Sequence, residues 1–424
     1  MRTVPDDGVG IVDLDPYAPE LTEPAVWDVY EAARDAGPVV HSPRRGGFWV
    51  VTGYDDVRAV LRDAATFSSA SGHRIPTDGT QRAVPIDFDP PLHTAYRKLM
   101  TPALSPARVR RLTPFLEATV ADLVSGFVRQ GGGDFVRDVA LPLPLAVLTE
   151  LVGFAPATVE RFRDVTERMW SGLDTDGEAV DFVAARQEVY DLMAHELDSH
   201  RAHPADDFVS SLLTAEVDGR ALEEDERISM LATFAVAGHE TTMNAAGTLV
   251  HLLVAHQEHQ QHLRADPRRA QSYVEEMLRH RSPAQNFARR ATCPVTLGGR
   301  SVEEGDAVLL SLAAANRDPG RFPEPERFDP GRDARGHLGF GWGIHQCPGG
   351  VLARTELTIL LQTLCAHPPL HLAGEVTWSG LNGGNHLGPT SLPVRFGSSA
   401  DHRNDGARSE RRHDDIDTAR EDTG

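Results

Sequence analysis

Over most of the chain apolar side chains recur at intervals of three and four, the spacing that gathers them on one face of an α-helix. Behind Ser105 and Pro106, the positions Val109, Leu112, Leu116, Val120, Leu123 and Phe127 keep this rule. A helix with one buried face is predicted there. Further helices are predicted over 24–35, 144–154, 157–173 and 178–200, the last two separated by a Gly- and Asp-containing break at 174–177. The stretch 223–255 carries helix formers and no proline. At 1.5 Å per residue it would run for about 45 Å, long enough to cross the molecule as a central helix. Strand-like runs occupy 47–52, 288–297, 306–312 and 392–396. The pattern predicts a mostly α fold with a small β region.

Composition narrows the functional classes. Acidic residues outnumber basic ones by 62 to 42, and a net charge of -20 over 424 residues argues against nucleic acid as a partner. With 40% apolar and 25% charged residues the chain can fold around a large core. No repeat of fixed period occurs, and residues 1–396 read as a single domain. The segment 397–424 has almost no apolar residues and reads as a disordered charged tail. Cys293, Cys347 and Cys365 form no CxxC pair, as expected of a reducing cytoplasm. The N-terminus lacks a signal-peptide pattern, and the longest nearly apolar stretch, 228–238, is too short to span a bilayer. A cytoplasmic protein without a membrane anchor is expected.

The richest chemistry lies in Leu338-Gly-Phe-Gly-Trp-Gly-Ile-His-Gln-Cys-Pro-Gly-Gly, directly before an amphipathic helix. Glycines at 339, 341 and 343 allow tight turns and close approach of backbone to a flat ligand. The N–H groups and dipole at the start of the following helix favour a thiolate at Cys347. Phe340, Gly343, His345, Cys347 and Gly349, with the extra Gly341, resemble the haem-binding loop of the cytochrome P-450 superfamily. Three further motifs in the family's order extend the resemblance from about residue 20 to 396.

The first is Ala237-Gly-His-Glu-Thr-Thr within the central helix, where a glycine costs up to about 1 kcal/mol. Thr241 can bond the carbonyl of Ala237 four residues back, leaving a groove beside Gly238. The resemblance implies that Glu240 and Thr241 deliver protons; Thr242, about 100° further round the helix, is expected to point away from the iron. The second is Glu276-x-x-Arg279, an ion-pair spacing, with Pro325-Glu326-Arg327-Phe328 downstream. In the family an arginine from the latter joins the pair in a buried network, which carries over to Glu276, Arg279 and Arg327. The third is Asp89-Pro-Pro-Leu-His93-x-x-x-Arg97, which sets His93 and Arg97 on one helix face. With Arg289 and His345 they form a set of four donors for the two haem propionates. Arg290, adjacent to Arg289, competes with it for that role.

The resemblance to soluble bacterial P-450 enzymes implies a P-450 fold with its long helix over the haem, haem b held by Cys347, and an oxidoreductase. The expected reaction is insertion of one oxygen atom from dioxygen into a small hydrophobic molecule, such as a secondary-metabolite intermediate. Oxidative coupling or desaturation is an alternative, and a haem-based sensor without turnover another. No GxGxxG lies between a strand and a helix, so electrons should come from NAD(P)H through ferredoxin and ferredoxin reductase. A basic face of Arg97, Lys98, Arg108, Arg110, Arg111 and Arg335 is the expected docking surface. The family's substrate-contacting regions correspond to 71–88, 162–173 and 284–287, with Met169, Trp170, Phe234, Asn286 and Phe287 as candidates.

Overall fold

The computed structural model describes residues 10–75, 82–171, 180–381 and 383–397, and for 169–171 and 180–182 the backbone alone. The 174–177 break, nearly all of the tail and the side chains of Met169 and Trp170 therefore lie outside the described residues.

Helices appear where the three-and-four spacing placed them. They are α1 (Ala25–Ala36), α2 (Tyr54–Arg62), α3 (Leu92–Met100), α4 (Pro106–Arg129), α5 (Pro142–Val147), α6 (Pro156–Ser171), α7 (Val180–Ala202) and α8 (Phe208–Leu213). They continue with α9 (Glu224–Ala255), α10 (Gln257–Ala265), α11 (Ala270–His280), α12 (Leu312–Ala315) and α13 (Gly350–Cys365). Ser105 caps α4 by accepting from Arg108 N. The predicted helix over 144–154 is instead α5 followed by a π-helical turn, Leu148–Val152. It stops at Gly153, whose φ of 99° suits glycine.

α9 is the central helix, 32 residues and so about 48 Å long. A capping box between Glu223 and Glu226 opens it, and Glu224, Asp225 and Glu226 complement its positive end. Its later turns are buried nearly all round, as expected of a helix with protein on every side. One large apolar cluster forms around its first half with α3, α6, α7 and α8. A second joins its later half to α4, α11 and α13. The cavity lies between these two bodies.

The small β region is chiefly one five-stranded sheet, in the order 39–42, 48–51, 307–311, 286–291, 67–68. The 307–311 and 48–51 pair is parallel and the others antiparallel. The single run expected over 288–297 is two strands, Asn286–Ala291 and Val295–Leu297, with Pro294 between them unable to donate to a ladder. Among the described residues no helix is long and apolar enough to cross a membrane.

Candidate active site

Cys347 stands three residues before α13 and opens onto the cavity. Its loop is held by backbone bonds from Cys347 N to Phe340 O (2.8 Å) and from Gly341 N to Leu338 O (2.8 Å). Gly341 and Gly343 take φ of 67° and 72°. A Cβ on Gly343 would also stand 2.2 Å from Leu61 O, so only glycine lets the loop pass α2. Burial pushes the Cys347 thiol above its ordinary pKa; the N–H groups of Gly349 and Gly350 and the cations Arg97 and Arg354 pull it down without prevailing. The helix start alone therefore does not make the thiolate, and a bound metal cation would supply the missing positive charge. Phe340 lines the same cavity and carries the Arg354 guanidinium 4.4 Å from its ring centroid.

At the cavity's edge α3, the 286–291 strand and the cysteine loop bring His93, Arg97, Arg289 and His345 together. The His93 and His345 rings are 4.2 Å apart. Burial first, then the neighbouring arginines, pushes His93 down to about 4 and His345 down to about 2. Burial takes Arg289 down to about 10 although Asp87 and Asp89 oppose the shift. Both ring nitrogens of His93 are buried without a hydrogen-bond partner. Donors crowded until they depress one another are a cradle for an anion of more than one charge, as two propionates would be. Arg290 turns the other way and donates to Gly305 O (2.9 Å), because successive strand residues face opposite sides. Arg289 is thus the cavity arginine.

Across the cavity from the cysteine loop, α9 presents Ala237, Gly238 and Thr241. Thr241 Oγ1 donates to Ala237 O at 2.8 Å, the bond the sequence foresaw. A Cβ on Gly238 would meet nothing nearer than 3.9 Å, so the glycine leaves open space there. Thr242 also lines the cavity. Glu240 is buried, with Oε2 3.3 Å from His386 Nδ1.

The Cytochrome P450 family model matches residues 154–367. The monooxygenase PikC of Streptomyces venezuelae is 35% identical over 365 residues, 83% of this chain and 87% of its own. The erythromycin C-12 hydroxylase of Saccharopolyspora erythraea is 33% identical, covering 81% of this chain and 87% of its own. The solved structure of an EryK mutant with erythromycin B superposes with a TM-score of 0.80 at 31% identity, over 89% of this chain and 97% of that one. The chain belongs to the cytochrome P450 family. It is accordingly an oxidoreductase, a haem-iron monooxygenase, and the loop, anion cradle and glycine-opened helix of this P450 fit that cofactor.

Supporting the loop, Glu276 and Arg279 pair through two bonds of 2.8 Å with no exposure on either side. The arginine that joins them is Arg332, whose Nε lies 3.3 Å from Glu276 Oε1. The expectation of Arg327 is corrected: only its carbonyl takes part, accepting from Arg279 Nη2 at 3.2 Å, while its side chain is 63% exposed. Arg332 lies beyond the motif read in the sequence, and a chain reversal brings it back. Glu275, next to Glu276, binds His337 of the loop and Arg354 of α13. Burial opposes its charge, yet those two partners hold its pKa down at about 2.

Of the substrate-contact candidates, Phe234 and Phe287 line the cavity. Asn286 does not: it is buried on the other side of its strand, donating to Tyr30 Oη (2.9 Å) and facing Gly384 O (3.4 Å). Strand alternation between Asn286 and Phe287 could have separated them in the sequence. Sequence reasoning missed Glu356 and His386, both on the cavity wall, and Ser69, whose Oγ lies 3.1 Å from His345 Nε2. Glu356 carried a signal, since Leu352 and Leu360 one turn to either side place it on the buried face of α13. Burial alone pushes its carboxyl up to about 8.

Proposed function

We propose that this P450 inserts one oxygen atom of dioxygen into an apolar intermediate of secondary metabolism, in the cytoplasm, using electrons from reduced nicotinamide passed through ferredoxin reductase and ferredoxin. The observation that carries this reading is the opposition, across one apolar cavity, of Cys347 and the Ala237–Thr241 turn of α9. Bound haem would supply the redox chemistry of dioxygen, with a thiolate from Cys347 donating electron density to it. Cys347 would hold the iron, and His93, Arg97, Arg289 and His345 the propionates. Phe340, Gly341 and Gly349 of the loop and Ala237 and Gly238 of α9, all lining the cavity, would leave room for the macrocycle.

The chain's own residues then have separable tasks. Leu148, Leu151, Val189, Phe234 and Phe287 exclude water and orient an apolar substrate. Thr241 holds a hydroxyl proton at Oγ1 beside the open space at Gly238, and the Glu240 carboxylate behind it would pass protons on. Glu276, Arg279 and Arg332 keep the loop in place. Erythromycin, printed in the name of one relative and bound in one solved neighbour, supports a bulky secondary metabolite as substrate. For the donor, Arg110 and Arg111 are exposed on α4, which packs against α13 behind the cysteine. A basic patch there would attract an acidic ferredoxin despite the chain's negative total.

The test is product formed per nicotinamide consumed through a surrogate ferredoxin chain, with a substrate first found by its shift of the haem Soret band. Thr241→Ala should keep haem and substrate but divert electrons to peroxide, whereas Glu240→Gln should slow nicotinamide oxidation itself. Wild-type coupling and rate in both variants would overturn the roles given to this pair.

A further inference from the structure

Behind the cavity face of α9, a second face of the same helix meets the loop 384–389, and the contact is unusually close at two points. A Cβ on Gly388 would stand 2.3 Å from Asn244 Oδ1, and one on Gly247 would stand 2.6 Å from Pro389 Cγ. Glu240, Asn244 and Gly247 follow one another at spacings of four and three, so they share this face. Two glycines, one from each partner, thus set the loop directly against the helix, and His386 arrives beside Glu240 as a result.

His386 is fixed from the other side as well. A β-bridge joins Ala284 to His386, Gln285 N donates to Asn385 O at 2.7 Å, and Leu387 N donates to Pro283 O at 3.0 Å. Pro283, Ala284 and His386 all line the cavity. The imidazole therefore has one edge on the substrate cavity and, at its other edge, Nδ1 3.3 Å from Glu240 Oε2. That separation is a charge contact not yet aligned as a hydrogen bond, and catalytic contacts often tighten only when substrate is bound. Another titratable group beside the pair is His239 on α9, whose ring packs edge-on against Phe162 and whose pKa burial lowers to about 4 against the opposing Glu240 charge.

We infer that His386 is the proton source for Glu240, so that protons reach the acid from the cavity loop. The inference rests on the reading of Glu240 as the proton-delivering acid. In the step, the Nδ1–H bond of the imidazolium breaks and an Oε2–H bond forms on the carboxylate, leaving neutral imidazole and neutral carboxyl. The imidazole regains its proton from hydronium of the bulk solvent, which becomes water, so no hydroxide is left behind. No electrons move. His386 acts through Glu240 and is a positioning and relay residue. Because Pro283 and Ala284, which are bonded to this loop, also line the cavity, a substrate that presses on them would also set the distance from His386 to Glu240, linking occupancy of the cavity to proton supply.

Two measurements test this. Imidazole NMR of the reduced, carbon-monoxide-bound holoenzyme reads the His386 ring directly; Glu240→Gln should shift its Nδ1 resonance, since the carboxylate that faces Nδ1 at 3.3 Å is removed. An unchanged resonance would overturn the contact. Nicotinamide oxidation through a surrogate ferredoxin chain, with 7-ethoxycoumarin as an apolar probe, reads the relay. His386→Asn keeps an N–H donor near the Nδ1 position but cannot ionise. It should slow oxidation at least about tenfold, as Glu240→Gln does, with the double variant no slower than either single one. A wild-type rate in His386→Asn with a slow Glu240→Gln would overturn the relay and leave the acid standing. Wild-type rates in both would remove the acid's role, and the relay with it.

Discussion

The rings of His93 and His345 face each other at 4.2 Å between centroids, although they come from α3 and from the cysteine loop, and Arg97 and Arg289 crowd the same corner. Burial first, and then the two arginines, depress the affinity of both histidines for protons, so a dianion bound there relieves repulsion as well as making bonds. His93→Ala and Arg289→Leu should each release haem to an apomyoglobin scavenger roughly 10- to 100-fold faster than wild type, the range of one lost charge-assisted hydrogen bond. Arg290→Leu should not, because its guanidinium binds Gly305 O instead.

Cys347 is the cysteine of the cavity; Cys293 is exposed outside it and Cys365 lies at the far end of α13. Cys347→Ala should abolish the red-shifted Soret band of the reduced carbon monoxide complex. Cys293→Ala and Cys365→Ala should leave it unchanged. A thiolate spectrum in the first variant would end this assignment.

The Glu276 network separates two arginines that look alike in the sequence. Arg332→Ala removes a cation 3.3 Å from a carboxylate with no exposure, whereas Arg327→Ala removes an exposed side chain and keeps the carbonyl that Arg279 uses. Thermal unfolding of the holoenzyme should show Arg327→Ala within about 0.5 kcal/mol of wild type. Glu276→Ala should cost about 3–5 kcal/mol, since it strands Arg279 in the interior, and Arg332→Ala should fall between.

Glu356 makes stability depend on pH. Its folded pKa, about 8, lies above the ordinary carboxyl value, so between the two the folded chain keeps a proton that the unfolded chain gives up. The group's contribution is intact below the ordinary value and is lost as pH rises towards 8. Between pH 5 and 7 this amounts to at most about 3 kcal/mol. Glu356→Gln should raise the melting temperature at pH 7 and 8 more than at pH 5. An equal effect at all three pH values would show that Glu356 is ionised in the fold.

Arg110 and Arg111 are exposed on α4, behind the cysteine helix. Reversing both to Glu should slow reduction of the haem by ferredoxin at least about tenfold at low salt, and the deficit should shrink as salt screens the charges. Equal rates at low salt would move the docking surface elsewhere.

What the sequence determined by itself is what neighbours along the chain decide. The helices follow from spacings of three and four, the Ser105 cap from one side chain reaching three residues ahead, and the Thr241 bond from one turn of α9. The cysteine loop was legible because its glycines, His345 and Cys347 act within a dozen residues. Strand alternation, also local, held the distinctions between Arg289 and Arg290 and between Asn286 and Phe287, but which side faced the cavity depended on the sheet's place in the fold. Tertiary structure alone decided the rest. Arg332 replaced Arg327 because a chain reversal, not a spacing, returns it to Glu276. His386 met Glu240 across 146 positions because glycines at 247 and 388 let loop and helix close to contact. Local geometry repeats at fixed intervals and can be counted along a sequence, whereas the partner of a buried charge is whichever group the packing of distant segments brings within a few ångströms.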